Sequence, residues 1–363
     1  MNTTVLLPPL DYREITQNFI AELEQAEQRK PSSLSYHVHN LSQKPIVTEG
    51  IIQGIVIGGT NYIVSTQHIS SHGKVTILEE KTGILPLLDL STLISFLREH
   101  KDDRAVAVGL NFGFGMTPRT GPFGEMDGVA VEASKEHSFT GILGKDIGDI
   151  VRQAFAKNIP VAVANDTICL ALAGDGTESA SLIAGTGFNL GIVTTEQKKK
   201  VVINIEAGNF NKFPHDEELR IIDAQSEIPG AYLFEKVISG KYLATFFNAK
   251  AKSLGISHSP LTTSQELSKL SHEINDAKAN QLARAIMERS AFLVAAAIAG
   301  LYKYREEPDS FTIIGEGSLL WLGWGYKENI YIQLKLLGIP ENAVTIRHVK
   351  DSSINGAFGL LTK

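Results

Sequence analysis

The segment GIVIGGTNYIV, residues 54–64, joins two β-branched apolar runs through a Gly-Gly-Thr-Asn turn. Valine and isoleucine favour buried strands, so each run is expected to form a strand. Gly58 and Gly59 permit a tight turn whose backbone amides can approach the oxygens of a phosphate. No acidic residue lies between Gly50 and His68, although magnesium, which accompanies phosphoryl chemistry, prefers carboxylate ligands. The segment is therefore either a phosphate-binding turn without its acid or an ordinary hairpin.

The composition narrows the class of protein. A length of 363 residues allows two domains with large cores, and 43% apolar with 20% charged residues is usual for a soluble globular protein. The net charge of -6 gives no indication of a basic surface that would bind nucleic acid or a membrane. The first residues lack a signal peptide's basic region, and the longest apolar stretch, 291–301, is too short to cross a bilayer. We expect a cytoplasmic protein.

Metal-binding residue patterns are sparse. Cys169 is the single cysteine, which excludes an internal disulfide and a multi-cysteine zinc site. His37 and His39 share one face of a short strand, but no third ligand stands at a useful spacing. No metal-ligating side chains are therefore predicted.

Strand and helix patterns interleave along most of the chain, which indicates an α/β fold. A polar, glycine-rich connection is expected after the strand 105–112 and up to Phe139. Further predicted helices are 11–29, 89–101 and 145–158, and further predicted strands are 160–166, 180–193 and 311–317.

Four apolar strands each end in a turn of small and polar residues. They read GIVIGGTN, PVAVANDT, ASLIAGTGFN and FTIIGEGS. In α/β folds, ligands gather at such strand ends, where backbone amides and helix N-termini point outward. One Gly-Thr-Gly turn is weak evidence for a ligand site at these strand ends, but four such turns in this order are much stronger evidence.

From about Thr48 to Phe358 the chain resembles the hexokinase family. The resemblance is carried by VANDT, IAGTGFN, INIEAGNF, the run DAQSEIPGAYLFEKVISGKYL, and KDSSINGAFG. It implies a two-lobed actin-like ATPase (ribonuclease H-like) fold with an interlobe cleft. It also implies ATP-dependent phosphorylation of a hexose at the 6-hydroxyl, with Mg²⁺ as the accompanying ion and glycolysis as the setting.

The resemblance divides the chain into four parts. Residues 1–45 form an N-terminal helix and connector on the large lobe, 46–163 the small lobe and 164–345 the large lobe. Residues 346–363 return to the small lobe.

The resemblance also assigns site residues. Asp166 becomes the general base for the sugar hydroxyl and, with Lys135, a catalytic residue. Sugar binding falls to residues that offer carboxylate, amide, hydroxyl or ammonium groups: Ser134, Lys135, Asn165, Asp166, Glu206 and Glu235. Nucleotide binding falls to three of the turns: Gly58, Gly59, Thr60, Asn61, Gly185, Thr186, Gly187, Gly315, Gly317 and Ser318.

Each assignment has a structural alternative. Asp166 could cap the helix that follows its strand, because Asn-Asp-Thr before an apolar run is also a capping pattern. Glu206 and Glu235 could be surface charges, and a Gly-Gly-Thr run could be no more than a hairpin. The family pattern favours the functional interpretation in each case.

The chain departs from the family at several places. Val56 stands where the family has its phosphate-turn Asp, and Ile63 where it has Arg. At the sugar site and the adenosine turn, residues of different character stand at Gly113, Ala207, Ile228, Tyr232 and Glu316. We therefore expect a slow kinase with a high magnesium requirement, in which Val56→Asp raises turnover if the strand end is solvated. The alternative is a sugar-binding regulatory protein of the same fold without phosphoryl transfer.

Overall fold

The computed structural model describes residues 6–41, 44–58, 61–86, 88–131, 139–196, 199–273 and 277–363. The chain forms two compact units. The first unit comprises Met1–Tyr36, Leu182–Leu190 and Ile205–His348, and the second comprises His37–Ser181, Gly191–Asn204 and Val349–Lys363. The lobe boundaries expected from the sequence are a different division of the chain and stay a prediction.

Helices and strands are interleaved along the chain, as the sequence predicts. The helices are α1 (Tyr12–Glu27), α2 (Leu90–His100), α3 (Ile147–Phe155), α4 (Asp166–Leu172), α5 (Glu217–Gln225), α6 (Leu233–Ile238), α7 (Gly240–Ser253), α8 (Ser264–His272), α9 (Lys278–Tyr304), α10 (Ser318–Leu322), α11 (Tyr326–Leu336) and α12 (Ser352–Thr362). The strands are β1 (His37–Asn40), β2 (Gly50–Ile57), β3 (Asn61–Ile69), β4 (Val75–Ile84), β5 (Ala107–Phe112), β6 (Met116–Thr120), β7 (Met126–Ala130), β8 (Val161–Ala164), β9 (Ala180–Ala184), β10 (Phe188–Glu196), β11 (Lys199–Asn204), β12 (Phe311–Glu316) and β13 (Val344–Arg347).

A five-stranded sheet in the order β4-β3-β2-β5-β8 is the centre of the second unit. Strands β2, β5 and β8 are parallel, whereas β3 pairs antiparallel with both β2 and β4. Parallel strands buried on both faces are usually apolar, which explains why β5 is apolar apart from the buried Asn111. The carboxyl ends of β2, β5 and β8 therefore lie at one edge of this sheet.

In the described part of the opening segment, residues 54–57 and 61–64 belong to the two paired strands of a hairpin. Ile57 pairs with Tyr62 across β2 and β3, and the amide of Gly58 donates to the Asn61 carbonyl at 3.1 Å. The turn lies at the carboxyl end of β2, the position at which α/β sheets bind ligands. A hairpin and a phosphate-binding turn are thus compatible for this segment.

Helix α12 packs on the sheet because glycine removes side chains from the contact. A Cβ on Gly109 of β5 would lie 2.0 Å from the Ala357 carbonyl oxygen, and a Cβ on Gly356 would lie 2.1 Å from the Cys169 carbonyl oxygen. Neither site can hold a larger residue without backbone movement. The C-terminal helix is thereby fixed against β5 and α4 within the second unit.

The glycine-rich stretch after β5 contains a hairpin that the sequence analysis does not predict. Strands β6 and β7 pair antiparallel, with Thr120 opposite Met126. Pro118 obscures the strand pattern, since proline cannot donate to a ladder and is tolerated mainly in edge strands.

In the first unit, the last residues of β9 and the first residues of β10 belong to the same sheet as β12 and β13. The order of these four neighbouring strands is β10-β9-β12-β13. Helix α9 is the core helix of this unit and packs against α1, α8 and α11. Among the residues that the structure describes, α9 alone is long and apolar enough to cross a membrane, and most of its apolar part is buried within the protein. Its composition is therefore explained by burial in the core.

Arg152 gathers several carboxylates in the second unit. Its guanidinium lies 3.1 Å from Glu125 Oε1, 3.3 Å from Asp127 Oδ2 and 2.7 Å from Asp149 Oδ1, and Asp146 Oδ1 is 3.8 Å away. The side chains of Glu125 and Asp127 are fully buried. Burial, followed by a hydrogen bond with Asp146, raises the pKa of Asp127 to about 7.

Asp127→Asn should make the stability of the protein less dependent on pH. The raised pKa means that Asp127 contributes stability fully below its unfolded pKa of about 4 and loses it as pH rises through about 7. We expect the melting temperature of the parent to fall more than that of the variant between about pH 5 and about pH 8. Asp149→Asn, at the exposed partner of the same arginine, is the control and should retain the pH dependence of the parent. Parallel melting curves for the parent and Asp127→Asn would contradict the assignment.

Candidate functional site

The turn between β9 and β10, residues 185–187, is held by the start of α7. The carbonyl of its first residue accepts from the amide of Gly240 at 2.7 Å, and the next carbonyl accepts from the amide of Lys241 at 3.2 Å. A Cβ on Gly240 would lie 2.8 Å from the first of these carbonyl oxygens. The absence of a side chain at Gly240 therefore allows the helix terminus to reach the turn.

Gly317, at the start of α10, also lies against this turn. Its φ is +118°, and a Cβ there would lie 2.2 Å from the Ala184 carbonyl oxygen. A Cβ on Gly185 would in turn lie 3.1 Å from Gly317 Cα. Residues 185–187, Gly240 and Gly317 form what we call the glycine cradle, in which backbone segments without side chains approach one another closely.

The predicted nucleotide residues of the first unit fall into two groups. Thr186 lies in the glycine cradle, and the Ser318 amide lies 3.5 Å from the Cβ position of Gly185. Gly315 instead faces the side chains of Leu320 and Ile346, so its missing side chain makes room for packing.

Glu235 reaches the end of the same turn. Its Oε2 accepts from the amide of Phe188 at 2.9 Å and would lie 3.1 Å from a Cβ on Gly187. A Cβ on Gly208, two residues after Glu206, would lie 3.2 Å from Glu235 Cβ. The side chain of Glu235 is thus packed between the 185–187 turn and the segment that carries Glu206.

Glu206 has an unusual backbone conformation. Its φ is +46°, in the left-handed region that non-glycine residues seldom adopt. The next amide, of Ala207, donates to Asn189 Oδ1 at 2.9 Å, and the Asn209 amide donates to the Glu206 carbonyl at 3.0 Å. These bonds hold a strained residue in place at a position predicted to bind sugar.

Several residues that shape the site were not identified from the sequence. They are Asn189, Gly208, Asn209 and Gly240. Each lies in or directly beside a quoted motif, as Asn189 does in IAGTGFN, and this proximity is the signal that could have found them. Their roles depend on partners distant in sequence, which the motifs alone do not reveal.

In the second unit, Asn165 and Asp166 lie where β8 passes into α4. Asn165 Oδ1 accepts from the Ile168 amide at 3.0 Å, so Asn165 is the helix cap. Asp166 is the first helical residue, and its Oδ1 accepts from the Thr167 amide at 2.9 Å. The capping role considered for Asp166 belongs to its neighbour, and the Asp166 carboxylate is held at a partly exposed strand end.

Four predicted site residues lie outside the described part of the chain: Gly59, Thr60, Ser134 and Lys135. Gly58 and Asn61 are described and close the β2–β3 turn.

Position 56 offers no acid and little water. Val56 is 9% exposed and belongs to an apolar cluster with Ile354 and Phe358 of α12, and Ile63 packs against the same cluster. Val56 and Ile63 face each other across the β2–β3 ladder. The condition that this strand end be solvated is therefore not met.

A magnesium site would need several oxygen ligands close together. Within the described ranges, no group of three His, Cys, Asp or Glu side chains could hold a metal ion.

A family model for hexokinases matches residues 179–249 and 248–360, half of the chain. The chain belongs to the hexokinase family. The matched ranges contain the glycine cradle, Glu206 and Glu235.

Individual relatives of this chain are also hexokinases. The hexokinase of Schistosoma mansoni is 27% identical over 276 residues, which cover 65% of this chain and 60% of that protein. Hexokinase-5 of Oryza sativa is 26% identical over 235 residues, which cover 54% of this chain and 45% of that protein. The chain thus spans about half of the length of the curated relatives that it matches.

Solved structures support the fold. The structure of the Schistosoma mansoni hexokinase complexed with glucose has a TM-score of 0.80 at 21% identity and covers 97% of this chain and 94% of that chain. An ROK hexokinase from Thermus thermophilus has a TM-score of 0.56 at 19% identity and covers 86% of this chain and 97% of that chain. The prediction of an α/β actin-like ATPase fold is confirmed.

Proposed function

We propose that the chain is an ATP-dependent hexose kinase that phosphorylates the 6-hydroxyl of glucose or a related sugar. The observation that carries the proposal is the junction of the glycine cradle with Glu235, whose carboxylate accepts from the amide of Phe188 directly after residues 185–187. The turn predicted to bind nucleotide and a carboxylate suited to sugar hydroxyls therefore lie next to each other in one unit. A cytoplasmic location and a role in glycolysis are parts of the same proposal.

In the proposed reaction, Glu206 and Glu235 accept hydrogen bonds from sugar hydroxyls and orient the hexose. The Asp166 carboxylate takes the proton of the 6-hydroxyl as that oxygen attacks the γ-phosphorus of ATP. The bond from the γ-phosphorus to its bridging oxygen breaks, and ADP leaves. Magnesium bound to the nucleotide supplies neutralisation of phosphate charge.

A second candidate is a sugar-binding regulatory protein without phosphoryl transfer. The burial of Val56 in an apolar cluster, with the partly buried Ile63 packed against it, favours this candidate. The two positions at which the family resemblance implies charges hold a packed apolar pair. The sugar carboxylates do not distinguish the two candidates, since both functions need them.

The deciding measurement is hexose-dependent ADP release in a coupled assay, combined with equilibrium binding of the same sugars. Glucose, mannose, fructose and N-acetylglucosamine form the panel, and ribose is the control. We expect ADP release with at least one hexose and none with ribose. Hexose binding without ADP release would favour the regulatory protein, and the absence of both would refute the two proposals together.

A further inference from the structure

Lys236 in α6 has a buried ammonium group. The side chain is 2% exposed, and its Nζ donates to Asp223 Oδ1 at 2.6 Å. It also donates to the carbonyls of Ile228 at 2.9 Å and Ala231 at 2.7 Å. An ammonium group has three protons, so these acceptors satisfy it completely.

The carboxylate of Asp223 is tied to the same segment. The amide of Gly230 donates to both of its oxygens, at 2.9 and 3.1 Å. Burial alone would raise the pKa of Asp223, but hydrogen bonds from Lys236 and Gly230 outweigh it and hold that pKa below its usual value. Asp223 is therefore ionised at neutral pH. Residues 226–232, which we call the 226–232 loop, are hydrogen-bonded both to the Asp223 carboxylate and to the Lys236 ammonium group.

The 226–232 loop is hydrogen-bonded to the segment that follows Glu206 and leads into the helix that carries Glu235. At its end, the amide of Tyr232 donates to Asn209 Oδ1 at 3.1 Å, and Asn209 bonds to the Glu206 carbonyl. Tyr232 has a φ of +54°, and α6, which carries Glu235 beside Lys236, begins at the next residue. A change in the loop would therefore move Glu206 and Glu235 relative to each other.

We propose that Lys236 is a positioning residue for the hexose: by binding Asp223 and two loop carbonyls, it sets the spacing of Glu206 and Glu235. The inference rests on the proposed function. A buried ion pair often stabilises a protein no more than well-packed apolar residues would, so stability alone gives little reason for a charge here. Lys236 instead fixes two carbonyls in one arrangement, which an apolar side chain cannot do.

The test compares Lys236→Met with Lys250→Met. Methionine keeps the length of the stem and removes the charge. Lys250 of α7 pairs with Glu218 of α5 at 3.1 Å in the same unit, and its side chain is 15% exposed. Its variant therefore loses a largely buried ion pair on helices that carry neither Glu206 nor Glu235. Hexose affinity is measured by titration calorimetry, and the KM for hexose, the KM for ATP and kcat by the coupled assay.

We expect Lys236→Met to raise both the hexose Kd and the hexose KM by about tenfold or more, with the KM for ATP unchanged. Lys250→Met should lower the melting temperature without changing hexose affinity. Asp223→Asn, which keeps the size of the side chain, should weaken hexose binding in the same direction and serves if Lys236→Met does not fold.

Two results would overturn the inference, and they are distinguishable. Unchanged hexose affinity in folded Lys236→Met or Asp223→Asn would show that the bridge does not position the sugar carboxylates. A parent protein that binds none of the hexoses would refute the proposed function first, before any variant is compared.

Discussion

Asp166→Asn should lower hexose-dependent turnover by ~10²–10⁴, the usual contribution of a general base, while most hexose affinity remains. The amide oxygen of asparagine can still accept from the Thr167 amide, so the start of α4 should keep its shape. The amide cannot take the proton of the sugar hydroxyl. The loss should therefore appear in kcat and leave the hexose Kd close to that of the parent.

Asp149→Asn is the matched control for this variant. Asp149 also lies in the first turn of a helix of the second unit, and its side chain is exposed. Turnover of this control should equal that of the parent. If Asp166→Asn retained turnover within about threefold of the parent, the base would have to be another residue.

Val56→Asp should strongly destabilise the protein at neutral pH. The substitution places a carboxylate in a site that is 9% exposed and lined by apolar side chains of α12, where the effective penalty for an unpaired ion is several kcal/mol, roughly. Burial raises the pKa of the introduced carboxyl, so the destabilisation should grow as pH rises through that pKa. Melting temperatures at about pH 5 and about pH 8 measure the effect.

Val56→Asn separates charge from size and polarity. It should cost similar stability at both pH values, whereas Val56→Asp should match it only at the lower pH. Adding Ile63→Arg to Val56→Asp should recover part of the loss, because the two positions are direct cross-strand partners and opposite charges there attract. A Val56→Asp variant as stable as the parent at the higher pH would contradict the burial of this strand end.

The double variant of Val56→Asp with Ile63→Arg also tests whether charges at these two positions support phosphoryl transfer. If Val56 and Ile63 together replace a charged pair, restoring both charges should raise turnover and lower the magnesium needed, by ~10- to 100-fold for a residue that supports a metal through its outer shell. This expectation replaces the gain predicted from the sequence for Val56→Asp alone, which requires a solvated strand end.

Local sequence was sufficient for much of the fold. The apolar periodicity of 11–29, 89–101 and 145–158 predicted α1, α2 and α3, and their bounds are confirmed within a few residues. The mostly apolar run 105–112 predicted a strand without a solvent face, and every residue of β5 is buried. These predictions succeeded because burial and periodicity act over neighbouring residues. The β6–β7 hairpin was missed because Pro118 and several glycines mask its pattern, and only pairing between the two strands reveals it.

The sequence by itself determined the membership of a family, the residue types at the strand-end turns and the absence of an acid at position 56. Tertiary structure decided that Asn165 caps α4, that Gly315 serves packing, and that Gly240 and Gly317 meet the 185–187 turn. It also decided that Lys236 spans from Asp223 to the carbonyls of the 226–232 loop. The physical reason is that hydrogen bonds and close contacts depend on distance in space, whereas a motif records only order along the chain. From the motif FEKVISGKYL alone, Lys236 cannot be distinguished from a solvated lysine, whereas the fold buries it among three acceptors.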